Sequence, residues 1–254
     1  MNHDTTFPGH TQAAISVTAP GMPSKAPRFD MYCAIHKALR QCMAHTLHRM
    51  GALDASEDVE RNAVLDDVES LLATLRGHLQ HENDFVHTAI EARQPGGARQ
   101  TADDHVEHQE AIRNLEDEVS SLRHAHDEHR PQLALSLYRH LAAFIGENLM
   151  HMQVEETRGN TTLWALYSDE ELVAIHDRLV ASIAPAEMGH AVRWMAAALS
   201  VPELVAVFSD MRGKAPPPAF EAMLGGARTQ LDERRWAQLA RALGQPPVPG
   251  LVTV

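Results

Sequence analysis

At 254 residues the chain can bury a substantial core, and 44% hydrophobic but only 5% aromatic content, in stretches rich in Ala, Leu, Met, Glu and Arg, points to an all-α protein. The formal net charge of −12 argues against nucleic acid as a partner, because affinity for a duplex comes largely from Lys and Arg displacing counterions at phosphates. Seventeen histidines are the compositional anomaly, imidazole being the commonest protein metal ligand.

Residues 1–28 mix Thr, Pro, Gly, Ser and Ala without helical period and read as a flexible leader. The basic-then-apolar order of a signal peptide is missing, and no apolar run approaches the roughly 20 residues of a membrane span. A cytoplasmic protein without a membrane partner is the expectation. Four long helical patterns then fill 29–165: Asp30 to Met50, Glu57 to Ala92, Thr101 to His126 and Pro131 to Thr157. Cys33 and Cys42 fall in the first of them, about 13 Å apart by helical rise, so no disulfide joins them.

Gly51 to Ser56 closes the first hairpin, and Gln94-Pro95-Gly96-Gly97 stops the second helix. Pro131 suits the first turn of the fourth. Short connections make successive helices antiparallel neighbours, an up-down-up-down four-helix bundle. Shorter helices form a C-terminal extension over 166–254: Ser168 to Ile183, Pro185 to Leu199, Val201 to Met211, Pro217 to Leu224 and Leu231 to Leu243. Ser168 with Glu171, and Ser200 with Glu203, have capping-box spacing. Trp194 and Trp236 read as core anchors.

Heptad stepping places His36 on the apolar stripe of the first helix with Leu39, Met43, Leu47 and Met50. The second stripe runs through Val64, Val68, Leu71, Leu75, His78, Glu82 and Phe85. The third carries His108, Ile112, Leu115, Val119 and Leu122. The fourth carries Leu137, Leu141, Phe144, Asn148, His151 and Glu155. Counting helical rise from each turn brings His36, His78, Glu82, His108, His151 and Glu155 towards one end of the bundle. Four histidines and two carboxylates buried together are costly to desolvate unless a cation compensates them, so these six are the candidate metal ligands. His87 with Glu91, and His124 with Glu128, have the same four-residue spacing but lie off the stripes and read as solvated surface pairs. A ferritin-like site needs two Glu-x-x-His helices; the one match, Glu187 to His190, lies outside the bundle.

His36, then His78-Leu79-Gln80-His81-Glu82, then Glu107-His108, then His151-Met152-Gln153-Val154-Glu155-Glu156 resembles the hemerythrin-like, or HHE cation-binding, family over roughly residues 30 to 165. The resemblance implies two non-haem iron ions with histidines as terminal ligands, bridging carboxylates and a bridging oxo or hydroxo group. Oxygen carriers of that family have two histidines four apart on the third helix, where this chain has Asp104 and Ile112; His105 is the substitute position, left open as a ligand. Glu156 stands where the carriers have an aspartate, but Glu155 continues the stripe and is preferred.

The implied function is binding or reduction of a small ligand such as dioxygen, nitric oxide or peroxide. The alternative is an iron- or oxygen-sensing or iron-delivery protein that signals through its C-terminal helices to a protein partner the sequence does not identify. Nitrogen and oxygen donors also suit manganese or zinc, so iron rests on the resemblance. Tyr32, one turn before His36, reads first as a packing residue, with a hydrogen bond into the pocket as the alternative.

Overall fold

The computed structural model describes residues 28–246, so the leader foreseen over 1–28 lies outside the described residues except for Arg28. The chain is helical, with no strand among those residues. Four long helices come first: α1 (Cys33–Gly51), α2 (Asp58–His81), α4 (Arg99–Arg123) and α5 (Arg130–Val154). Two of them run on through a π-helical turn. α2 continues through π1 (Glu82–His87) into the short α3 (Thr88–Arg93), and α5 continues through π2 (Glu155–Gly159) into α6 (Asn160–Leu166).

Helix packing follows from the stripes. α1 contacts α2, α2 contacts α4, α4 contacts α5, and α5 returns to α1, which closes the ring of a four-helix bundle. Leu39, Met43, Val68, Leu71, Leu75, Ile112, Val119, Leu137 and Leu141 fill its interior and are almost fully buried. Each such leucine contributes roughly 1.5–3 kcal/mol by leaving water. Asn148 also points inward, and its amide donates to Phe144 O four residues back (2.8 Å), so this polar group on the stripe is satisfied locally.

The connections use the expected chemistry. Asp54 accepts from the Ser56 amide (3.0 Å) and hydroxyl (2.6 Å) in the first turn. In the second, Gly96 adopts φ 81°, a left-handed conformation that favours glycine, while Glu91 accepts from the amides of Gly96 (2.6 Å) and Ala98 (2.9 Å). Pro131 sits in the first turn of α5.

Five shorter helices follow: α7 (Asp169–Ser182), α8 (Pro185–Ala198), α9 (Val201–Lys214), α10 (Pro217–Arg228) and α11 (Glu233–Ala242). Both capping boxes form, Ser168 with Glu171 and Ser200 with Glu203. Val192, Ala196, Leu204, Phe208, Phe220, Leu224 and Leu239 build a second core, against which Trp236 packs, while α8 lies along α1 and sets Trp194 on the bundle core. A third cluster, including Met31, Tyr32, Val86, Ile90, Leu163, Leu172 and Ile175, joins α3, α6 and α7 beyond the glutamates. No helix among the described residues is long and apolar enough to cross a membrane.

Candidate metal centre

Antiparallel packing delivers the polar residues to one level. His36 lies near the start of α1, His78 and Glu82 near the end of α2, His105 and His108 in the first half of α4, and His151 and Glu155 at the end of α5. Among the described residues, two groups of side chains could hold a metal ion: His36, His78, Glu82 and Glu155, and Glu82, His105, His151 and Glu155. The ligand atoms of each group lie within 4.8 Å of one another, and both glutamates belong to both groups.

The two carboxylates divide their oxygens. Glu82 Oε1 faces His36 Nε2 (3.6 Å) and His78 Nε2 (3.3 Å), while its Oε2 faces His105 Nε2 (3.5 Å). Glu155 Oε2 faces His36 Nε2 (3.6 Å), while its Oε1 faces His105 Nε2 (3.6 Å) and His151 Nε2 (3.2 Å). Donors about 2.1 Å from a common ion lie about 3.0–3.4 Å apart at octahedral or tetrahedral angles; His78 and His151 stand within that range of a carboxylate oxygen, and His36 and His105 stand 0.1–0.2 Å beyond it.

Outer hydrogen bonds orient the imidazoles. His36 Nδ1 donates to Glu156 Oε1 (3.1 Å), His105 Nδ1 to Asn83 Oδ1 (2.8 Å) and His151 Nδ1 to Asp104 Oδ2 (3.3 Å). A neutral ring that spends its proton this way presents a bare lone pair at Nε2. His105 and His151 aim those nitrogens at each other across 3.0 Å, a repulsive contact unless a proton or a cation intervenes. Nε2 of His36 and His78 and all four oxygens of Glu82 and Glu155 are buried without a hydrogen-bond partner. Each unmet polar atom costs about 1–3 kcal/mol in a dry interior. Six converging on one spot fit a cation site.

The electrostatics of the ion-free residues agree. Burial and the charge of Glu155 push the Glu82 carboxyl up to about 8. Burial would raise Glu155 too, but His105 and His151 hold it well below the usual carboxylate range. Burial alone would lower His36, yet the carboxylates of Glu156 and Glu82 overcome it and push the ring up to about 9. His78, desolvated and beside His36, is held well below the ordinary histidine value. Protons on Glu82 and His36 thus occupy the place of a metal charge.

Of the six residues chosen from the stripes, His36, His78, Glu82, His151 and Glu155 fall in the two groups and His108 falls in neither. His108 is buried beside the site, edge-on to His151 at 4.9 Å, with Nδ1 unpartnered. His105, the substitute position, stands where the sequence reading placed His108. Glu156 joins neither group. Its two oxygens grip Arg40 (2.5 and 3.1 Å) as well as accepting from His36.

One expectation is corrected outright: His87 is no surface partner of Glu91. It is 6% exposed and stacks on His105 at 4.6 Å, its Nδ1 unpartnered and its ring pushed down to about 4 by burial and His105. π1 causes this. A π turn takes in an extra residue, so the stripe continued at α-helical spacing to Phe85 slips, leaving Phe85 half-buried and turning Val86 and His87 inward. Both glutamates of the site begin such a turn.

Tyr32 was legible as a packing residue, and it is one. It is buried with its ring tilted against His36 at 5.2 Å. Its phenol is raised well above the usual tyrosine value, by burial first and then by the charges of Glu155 and Glu82. The hydroxyl rests on Gly159, the last residue of π2, where an added Cβ would lie 2.9 Å from the oxygen and 3.3 Å from the ring. The Gly159→Ala variant is therefore expected to lose about 1–3 kcal/mol of stability by overpacking. Thermal or denaturant unfolding measures it, and an unchanged midpoint would show that Tyr32 has room to move.

No protein-family model and no curated protein matches the sequence. What stands is an all-helical protein with a buried cluster of histidines and glutamates that could hold metal.

Proposed function

We propose that the chain is a hemerythrin-like protein that holds two iron ions in the bundle and binds or reduces a small molecule such as dioxygen, nitric oxide or peroxide. The division of oxygens by Glu82 and Glu155 carries this reading: each carboxylate turns one oxygen to the His36 and His78 side and the other to the His105 and His151 side. Two buried pairs of histidines with two shared carboxylates are the donor set that two such ions require.

Iron, when bound, supplies the redox chemistry and the open positions for a small ligand, since two histidines and two carboxylate oxygens per ion leave coordination unfilled. The chain does the rest. Asn83, Asp104 and Glu156 fix the ring orientations of His105, His151 and His36, so the donors are in place before an ion arrives. Tyr32, its ring against His36 at 5.2 Å, and Phe144, edge-on to His108 at 6.0 Å, are both buried and help keep bulk water from the site.

A second reading, sensing or delivery through the C-terminal helices, has its own support. Lys37, next to His36, pairs with Glu203 Oε1 (2.5 Å), the glutamate that caps α9. His81, next to Glu82, faces Glu187 of α8 (3.5 Å), and an added Cβ on Gly77, next to His78, would lie 2.7 Å from the same carboxylate. Movement of the donors on α1 and α2 therefore reaches α8 and α9 directly.

Two measurements test the two readings. The reduced, iron-loaded chain is mixed in stopped flow with dioxygen, nitric oxide or peroxide, and hydrogen exchange is followed with and without iron. Spectral change with at least one ligand is expected, and inertness towards all three overturns the reactive reading. Protection appearing in α8 and α9 on iron loading supports sensing, and protection confined to the bundle removes it.

A further inference from the structure

α5 is apolar on both sides. The bundle takes one side, with Leu137, Leu141, Phe144 and Ile145. Stepping by three and four along the opposite side passes through Leu135, Arg139, Ala142, Gly146 and Leu149, with Ala143 and Met150 beside them. All are exposed except Ala142, which is half-buried. Five large hydrophobic residues are exposed among the described ones, and three of them, Leu135, Leu149 and Met150, fall on this strip. The outer face of α4 is different, for there Val106 stands among Asp103, Glu107, Glu110, Arg113 and Asp117. Single exposed apolar side chains are ordinary, but a helix that is apolar all round is normally covered all round.

The strip complements itself when reversed. In an antiparallel pair of α5 helices related by a two-fold axis, residues equally far before and after the axis position face each other. Leu135 and Leu149 are centred on Ala142, Leu135 and Met150 between Ala142 and Ala143, and Arg139 and Glu147 on Ala143. These centres agree within one residue, about 1.5 Å of helix rise. Leu135 of one copy therefore meets the partner's Leu149 and Met150, while Arg139 meets the partner's Glu147, and the symmetry makes each contact twice. Alanines at the axis let the two backbones approach, and Gly146, one turn on, has nothing of its own chain within 4 Å of where a Cβ would lie. Arg139 and Glu147 are exposed, and neither has an ionic partner in its own chain among the described residues.

We propose that the outer face of α5 is the seam of a two-fold homodimer, in which α5 of one copy packs antiparallel on α5 of another about Ala142 and Ala143. A second copy is the occupant because the same strip, reversed, supplies both the apolar cover and the opposite charge for Arg139 and Glu147. The seam is independent of iron, since none of these residues is a donor of the metal centre.

The test is sedimentation equilibrium of the full chain over a dilution series, with helicity followed by circular dichroism. The native chain is expected at twice the chain mass, dissociating on dilution. Ala143→Arg brings two like charges together at the axis and is expected to weaken association roughly a hundredfold or more while leaving the helicity unchanged. Arg139→Glu and Glu147→Arg should each weaken it about tenfold, and the double variant should restore it. Mixing the two single variants should yield a heterodimer in preference to either homodimer, because only then does every copy of residue 139 face an opposite charge at 147. A chain that stays monomeric throughout the series overturns the proposal and leaves the face to residues 1–27 or to another protein. A dimer indifferent to Ala143→Arg overturns the assignment to α5, and a mixture without preference for the heterodimer overturns the antiparallel two-fold pairing.

Discussion

Neutralising Glu155 is expected to empty both metal positions at once. Glu155 gives one oxygen to each group, so Glu155→Gln removes an anionic donor from both, whereas His78→Ala removes a donor from the His36 side alone. Bound iron should fall from two ions per chain to fewer than one in Glu155→Gln and to about one in His78→Ala. The fold should survive the first change, because glutamine has nearly the same shape as glutamate. Metal analysis beside the melting curve of the metal-free variant separates the effects. If Glu155→Gln keeps two ions, the carboxylate is not shared.

The second large effect is on stability, and it has a pH signature. Glu82, raised to about 8, and His36, raised to about 9, keep protons in the folded chain that they release on unfolding. Their stabilising contributions are complete below the unfolded values, about 4.5 and 6.5, and are lost as pH rises through 8 and 9. His151, raised in the same direction, adds to the trend. His87 and His108, both lowered to about 4, stay neutral when folded, so their contribution is present above about 6.5 and is lost as pH falls towards 4.

The metal-free protein should therefore be most stable near neutrality and lose on the order of a few kcal/mol between pH 6.5 and 9. On the two-iron proposal the metal takes the place of the protons, so the loaded protein should not weaken over that range. Each ion at about a thousandfold excess over its dissociation constant adds about 4 kcal/mol, a melting shift of roughly 10 °C for a chain of this size. Melting curves with and without chelator at pH 6.5 and 9 read both effects. A metal-free chain that gains stability towards pH 9 would contradict the charge states given for Glu82 and His36.

The bundle was legible because its signals are local and periodic. The stripes through Leu39, Leu71, Ile112 and Leu141 choose the buried faces, Gly96 and Pro131 mark the turns, and Ser168 and Ser200 announce helix starts. Stripe and depth together also picked out His36, His78, Glu82, His108, His151 and Glu155 for one level of the bundle, and all but His108 fall in the two donor groups.

What was not legible depends on departures from the α-helical period or on contacts between helices. π1 shifts the register after Glu82, so spacing alone left His87 on the surface. His105 and His108 are three apart on one stripe and both are buried. Which of them meets the carboxylates depends on where π1 and π2 set Glu82 and Glu155, and periodicity carries nothing about that. Asn83, Asp104 and Glu156 find their histidines on other helices, partners that sequence spacing cannot pair. The seat of α8 along α1 is long-range in the same sense.

The iron bound per chain, when ferrous iron is titrated under argon into the metal-free protein, tests the two-iron proposal most directly. Saturation at two ions per chain is the result the shared carboxylates require. Saturation at one ion, or no binding at all, would contradict it.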